Sequence, residues 1–171
     1  MTVKSMSFFL LGLVLVTGTR AQPGTIKSAE ISFSFPSYNV YGSIQGFNSS
    51  SLIYWDNLPA SKFEGSVVVK TLKTGNFLRD WHLKGRKYFN MSDFPQIGYR
   101  STAVIPEKDR IIVEGNLTLK GVTLPLRIVF QNVGGSLEGT ATLYTSDFGI
   151  QIKEERALNK AEVTLRFNIE E

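Results

Sequence analysis

The chain has no cysteine and a single histidine in 171 residues. Lack of cysteine excludes disulfides, thiolate nucleophiles, thioether haem attachment and cysteine lipidation. A lone histidine excludes a multi-histidine metal centre within one chain. No phosphate-binding loop, no dinucleotide-binding glycine fingerprint and no G-x-S-x-G elbow occurs in the sequence. Internal repeats, low-complexity tracts and interdomain linkers are missing as well. Charge of one sign is scarce: 19 Lys and Arg face 15 Asp and Glu, a net of +4. What is plentiful is apolar and aromatic surface, 42% hydrophobic residues with 12 Phe, 6 Tyr and 2 Trp. That content is too apolar for a disordered chain, and the length suits one domain with a substantial core.

Residues 1–21 read as a segment apart. Lys4 supplies a small basic start, Phe8 to Val16 form a short apolar run, and Thr19 and Ala21 are small residues at the polar exit. This is the layout of a cleaved export signal, too short for an ordinary membrane-spanning helix. The expectation is cleavage after Ala21, a periplasmic or secreted domain over 22–171, and no stable membrane insertion afterwards. The leader holds Lys4 and Arg20 and no acid, so the remainder has 17 basic against 15 acidic residues, or +2. So small an excess gives no ground for nucleic-acid binding.

Beyond the leader the pattern is two-residue alternation. Ile31, Phe33 and Phe35 alternate with serines; Leu126, Ile128 and Phe130 alternate with Arg127, Val129 and Gln131; Val163, Leu165, Phe167 and Ile169 alternate with polar residues. Alternation puts one sheet face in a core and the other in water. It predicts strands near 29–35, 39–47, 50–56, 64–72, 96–104, 109–119, 122–133, 136–145 and 161–170, some adjoining pieces forming one bent strand. Gly42 and Gly46 allow a bend or a close approach, and Gly134-Gly135 signals a hairpin. Thr74 to Met91 interrupts the strands and predicts two short helices separated near Gly85, the first capped by Asn76. The fold expected is all-β, a closed antiparallel barrel with a short helical insertion, a sandwich being the rival.

Such a barrel encloses an elongated apolar ligand if side chains do not fill it. Phe33, Phe35, Phe47, Phe130 and Phe167 are the candidate lining, and the alternative is that they complete a solid core. His82 reads either as a pocket-mouth donor or as a structural residue at a helix end. Ser146-Asp147 reads as a turn rather than as part of a hydrolase triad with His82. Exposed charges account for Glu154-Glu155 and for Glu107 with Asp109.

Three stretches then resemble the YceI-like family of bacterial lipid- or polyisoprenoid-binding proteins. They are Ser32-Phe33-Ser34-Phe35 with Gly42 and Gly46-Phe47; Asp80-Trp81-His82-Leu83-Lys84 running on to Phe94-Pro95-Gln96-Ile97; and Gly115 to Leu126 with its core LTLKGVTLPL. Ser146-Asp147-Phe148-Gly149-Ile150 follows at the expected place. The resemblance implies an eight-stranded, lipocalin-like antiparallel barrel that binds an isoprenoid, isoprenoid quinone or related lipid noncovalently. It implies that the segment around Asp80, His82 and Phe89 covers one end of the cavity. Departures lie at Pro36-Ser37-Tyr38, where the family often has a histidine, at Asn90, where an aspartate is common, and at Thr145, where a basic residue often stands. Arg79, His82 and Asp147 are the candidate headgroup contacts. No cofactor is required, no enzyme activity is expected, and a homodimer is an open assembly. The rival function is a structural or protein-interaction barrel with a filled core; an unusual hydrolase or isomerase is more distant.

Overall fold

Every strand of the computed structural model, which describes residues 22–170, belongs to one antiparallel sheet. The expected export leader, residues 1–21, lies outside the described residues. Strands β1 (Thr25–Phe35), β2 (Val40–Ile44), β3 (Asn48–Ser49), β4 (Glu64–Val68), β5 (Gln96–Glu107), β6 (Arg110–Leu119), β7 (Val122–Val133), β8 (Ser136–Tyr144) and β9 (Lys160–Glu170) are joined by short 3-10 turns and one helix, α1 (Phe77–Lys84). Their order is β2-β1-β9-β8-β7-β6-β5-β4-β3. The two ends of that order, β2 and β3, are consecutive in the chain, and the sheet curls round until the Val68 N–H of β4 donates to the Gln45 carbonyl just after β2 at 3.0 Å. Val40–Ile44 pairs with β1, whereas Asn48 and Ser49 pair with β4. Gly46 lies between them at φ 71°, a left-handed conformation that side-chain-bearing residues avoid. A Cβ there would fall 2.6 Å from a Val68 methyl.

The count is nine against the eight implied by the resemblance: the strand expected over 39–47 ends at Ile44, and a separate two-residue strand, Asn48–Ser49, follows the kink. Three other expectations are corrected. Residues 50–56 are not a strand: only isolated bridges form, Leu52 with Lys62 and Gly24 with Ile53. Asp56-Asn57-Leu58-Pro59 is turn chemistry, and Leu58–Ala60 winds into a 3-10 turn. The strand expected over 64–72 stops at Val68, where Val69–Thr71 winds into another. The second helix after Gly85 is a series of turns held by Asn90, whose amide donates to Asp93 at 2.9 Å while its backbone sits at φ 49°. Asparagine tolerates that conformation better than most residues.

The first helix forms as read: the Asn76 side chain accepts from the Arg79 N–H at 3.0 Å. The long hairpins also match the sequence signals. Lys120-Gly121 and Gly134-Gly135 both take positive φ at the two turn positions, the requirement of a tight hairpin between twisted strands. On the outer face, opposite charges sit on directly paired residues: Glu64 with Arg100, Glu114 with Arg127 and Glu138 with Arg166. Exposed pairs of this kind contribute about 0.2–1 kcal/mol each, and they disfavour a register slip.

Inside, two apolar layers stack along the barrel. One contains Ile53, Phe63, Val113, Phe130, Leu137 and Phe167; the other contains Val69, Leu72, Leu83, Phe89, Leu119 and Phe148. Residues 50–63 close the first end, with Ser51, Ile53, Ser61 and Phe63 buried. The segment 69–94, including α1, closes the second, where Lys120 at the β6–β7 turn donates to the carbonyls of Lys87 and Gly149.

Candidate functional site

Between the two layers lies an apolar cavity of about 170 Å³. Four wall strands contribute one parity, Ile31, Phe33 and Phe35 from β1, Leu117 and Leu119 from β6, Leu126, Ile128 and Phe130 from β7, and Val163, Leu165 and Phe167 from β9, whereas β4 and β5 border it through consecutive residues, Glu64 to Val67 and Ile97 to Tyr99. All of Phe33, Phe35, Phe47, Phe130 and Phe167 border it. Phe89, from the segment the resemblance places over one end, borders it as well, and so do Phe63 and Tyr99, which sequence reasoning passed over. Phe63 stands in a turn-rich stretch without long alternation. Tyr99 alternates inward between Ile97 and Ser101, a signal that was available.

The rings are organised. Phe63 stacks on Phe130 at 5.4 Å between centroids, Phe130 meets Phe167 at 5.5 Å, and Phe167 stacks on Phe47 at 5.3 Å. This chain of aromatics crosses the barrel and occupies much of its width. Several rings lie against glycine on the neighbouring strand, two of them on their directly paired residue. Phe130 is paired with Gly139 and Phe33 with Gly42, and a Cβ at either glycine would fall 2.4 Å or 2.3 Å from the ring. Absence of a side chain at those positions lets each ring lie flat on the wall, leaving space in the middle.

Polar atoms at the cavity are tied down. The Tyr99 hydroxyl sits 3.1 Å from the carbonyls of Val113 and Leu126. Burial first, and the Glu114 carboxylate second, push its pKa up, so it stays a neutral phenol. Ser51 Oγ donates to the Glu64 carbonyl and accepts from the Glu64 N–H. The walls therefore desolvate hydrocarbon, and these two hydroxyls are already bonded within the protein.

The polar candidates lie elsewhere than the lining. Arg79 donates from Nε to Thr74 Oγ1 at 2.7 Å and from a terminal nitrogen to the Thr74 carbonyl at 2.8 Å, locking the turn before α1. His82 is exposed, its ring centroid 5.2 Å from that of Trp81. Asp147 accepts both arms of Arg156 at 2.9 and 2.7 Å, and that guanidinium lies 3.6 Å over the Tyr144 ring. The Arg156 hydrogen bond holds the Asp147 carboxyl below its ordinary range. The Ser146-Asp147 turn is thus fixed by an ion pair to Arg156. Two hydroxyls at this end, Tyr38 Oη and Ser146 Oγ, are buried with no hydrogen-bond partner among the described residues. Residues 36–38 follow β1 and residues 145–148 follow β8, and both strands pair with the first half of β9. Among the described residues, no group of three or more acidic or histidine side chains is placed to hold a metal ion.

Comparison with known proteins matches residues 24–171 to the model of a family described as the YceI-like domain. A UPF0312 protein of Pseudomonas aeruginosa is 28% identical over 184 aligned positions, covering 96% of each chain. Protein YceI of Salmonella arizonae is 27% identical over 137 positions, covering 75% of this chain and 72% of that one. Among solved structures, BcnA of Burkholderia cenocepacia superimposes with a TM-score of 0.71 at 17% identity, over 84% of this chain and 96% of its own. A polyisoprenoid binding domain from Saccharophagus degradans gives 0.58 at 11% identity, over 88% and 98%. At these identities the structural likenesses are likenesses of fold.

Proposed function

Because the chain belongs to the YceI-like family, we propose that it binds and carries the apolar chain of an amphiphile without covalent chemistry, an isoprenoid, isoprenoid quinone or related lipid being the class that fits. The observation that carries this reading is the apolar cavity inside the barrel, bordered by Phe33, Phe35, Phe47, Phe130 and Phe167. Of the three buried polar atoms without a partner among the described residues, Trp55 Nε1 lies toward the first end, while the hydroxyls of Tyr38 and Ser146 lie toward the α1 end and favour it for the polar head of the amphiphile. Both would otherwise cost about 1–3 kcal/mol as unmet buried groups.

Size sets the mechanism. A cavity of about 150 Å³ holds a benzene-sized molecule, so 170 Å³ accepts a short stretch of chain at rest. Six buried carbons contribute about 5 kcal/mol at roughly 0.8 kcal/mol each, no more than the low end of the association cost. Firm binding of a longer chain therefore requires the aromatic row to rotate aside or the segment Thr74 to Met91 to lift. That segment ends the second core layer through Leu83 and Phe89. Desolvation drives capture and lifting of the cap permits release, so no side chain is needed as a catalyst. Domain 22–171 would act after export, in the periplasm or outside the cell.

A chain-length series tests the reading. Saturated and isoprenoid alcohols from about 4 to 20 carbons are titrated by calorimetry and by thermal shift. Affinity is expected to rise with each carbon up to about six or eight. Beyond that length, binding should continue only with slow kinetics that report cap or ring movement. Absence of binding at every length would leave a filled-core interaction barrel as the account.

A further inference from the structure

Helix α1 has two unlike faces. Leu83 is buried in the second core layer, while Phe77, Leu78 and Trp81 are 82%, 66% and 65% exposed. Nearby, Ser43 is bridged to Lys73, and following that antiparallel register outward brings Tyr41, itself 68% exposed, level with Gly75 just before the helix. Single exposed apolar residues are ordinary, but a cluster of aromatic and aliphatic side chains on one turn is a contact surface.

Charge around the cluster is strongly uneven. Residues 70–91 carry Lys70, Lys73, Arg79, Lys84, Arg86 and Lys87 against Asp80 alone, a net of +5, while the rest of 22–171 nets −3. Asp80 is half-buried and bonded to the turn before the helix, accepting from the Thr74 N–H at 2.7 Å. The neighbouring segment 145–159 is nearly balanced, Lys153 and Arg156 against Asp147, Glu154 and Glu155. A protruding apolar knob inside a basic field suits an anionic lipid surface, where the knob enters the headgroup boundary and the cations meet anionic heads. A second copy would bring +5 against +5. A nucleic acid would use the cations and leave the knob in water.

We propose that the α1 end of the barrel is a docking surface for an anionic lipid bilayer, with Phe77, Leu78 and Trp81 entering the headgroup–acyl boundary and the surrounding lysines and arginines holding the anionic heads. No described helix is long and apolar enough to cross a membrane, and the contact proposed is a peripheral one. Docking presents the cavity-covering segment directly to the bilayer. This inference goes beyond carriage of an apolar chain, and its test needs no cavity ligand, so either can fail while the other stands.

Trp81 is its own reporter. With Trp55 the only other tryptophan, the full chain carrying Trp55→Phe is titrated with vesicles of equal phosphatidylglycerol and phosphatidylcholine, and with phosphatidylcholine alone. Reading at Trp81 separates this contact from any pull by the apolar run Phe8 to Val16. The expected result is a blue shift and quenching by brominated acyl chains on anionic vesicles only, reversed by salt. Phe77→Ser with Leu78→Ser should weaken partitioning at least about tenfold, and Lys84→Gln with Lys87→Gln should weaken it and flatten the salt dependence. Should Trp55→Phe fail to fold, the same readings come from the difference between the natural chain and Trp81→Phe. Unchanged Trp81 emission on anionic vesicles overturns the proposal. So does a blue shift that grows with protein concentration without vesicles, which assigns the face to a second copy.

Discussion

Replacing Gly139 by alanine tests whether the cavity depends on rings lying against bare backbone. The new Cβ would sit 2.4 Å from Phe130 Cε1 and 2.6 Å from Cδ1. Carbon atoms in good contact lie about 3.5–4.0 Å apart, so the ring must retreat by a little over about 1 Å. Phe130 is fully buried between Phe63 and Phe167, so the open direction is the cavity. A phenyl face moving that far sweeps roughly 50 Å³, about a third of the 170 Å³ present. Overpacking of this kind costs about 1–3 kcal/mol of stability, and the lost volume should remove much of the short-chain affinity. Urea unfolding gives the first quantity and calorimetry with a short apolar alcohol gives the second. Phe130→Leu in the same chain should restore binding, because the smaller side chain frees the space the methyl took. The coupling between the two substitutions should exceed about 0.5 kcal/mol. Full affinity in Gly139→Ala with unchanged stability would refute the reasoning, since the wall would then have yielded and the ring would not be confined.

Other substitutions probe other parts. Phe167→Ala should cost about 3–5 kcal/mol in urea unfolding and widen the cavity, so that longer chains bind faster even as the fold weakens. Tyr99→Phe removes a buried hydroxyl from the Val113 and Leu126 carbonyls and should cost about 1 kcal/mol, with little change in chain binding. Asn76→Ala removes the cap of α1 and should cost about 1 kcal/mol. Asp147, paired with Arg156, has its pKa lowered in the folded state, so the stability it adds is full above the ordinary aspartate value of 3.8 and is lost as the pH falls through the folded value beneath it. The melting-temperature gap between the natural chain and Asp147→Asn should accordingly be constant near neutrality and close below pH 3.8. A gap that persists in strong acid would contradict the assignment.

Most of the barrel was legible because alternation is a direct image of the pleat. Leu126, Ile128 and Phe130 face the interior as their spacing required, and so do Val163, Leu165 and Phe167. Segment 50–56 misled because Ser51 and Ile53 are buried at alternate positions without a partner strand; they plug the barrel end instead. Alternation reports which side is dry and is silent about what pairs with it. The kink at Gly46 was visible as a glycine, but its consequence, that the chain leaves β1 at Ile44 and pairs with β4 from Asn48, depends on which neighbours flank it. At the candidate site, Phe33, Phe35, Phe130 and Phe167 were accessible through strand phase, whereas Phe47 lies in the kink between β2 and β3. Arg79 and Asp147 were not placed by sequence because their partners, Thr74 and Arg156, are chosen by turn geometry that periodicity does not encode. The volume left between the rings was beyond any one-dimensional reading, since it is set by glycines on adjacent strands.

Native mass spectrometry of the protein purified from its source, followed by organic extraction, addresses the central claim most directly. The account predicts one apolar amphiphile reproducibly bound at one copy per chain, and its loss when Gly139→Ala narrows the cavity. Protein that is repeatedly empty, and that takes up no quinone, isoprenoid or fatty chain when offered, would contradict it.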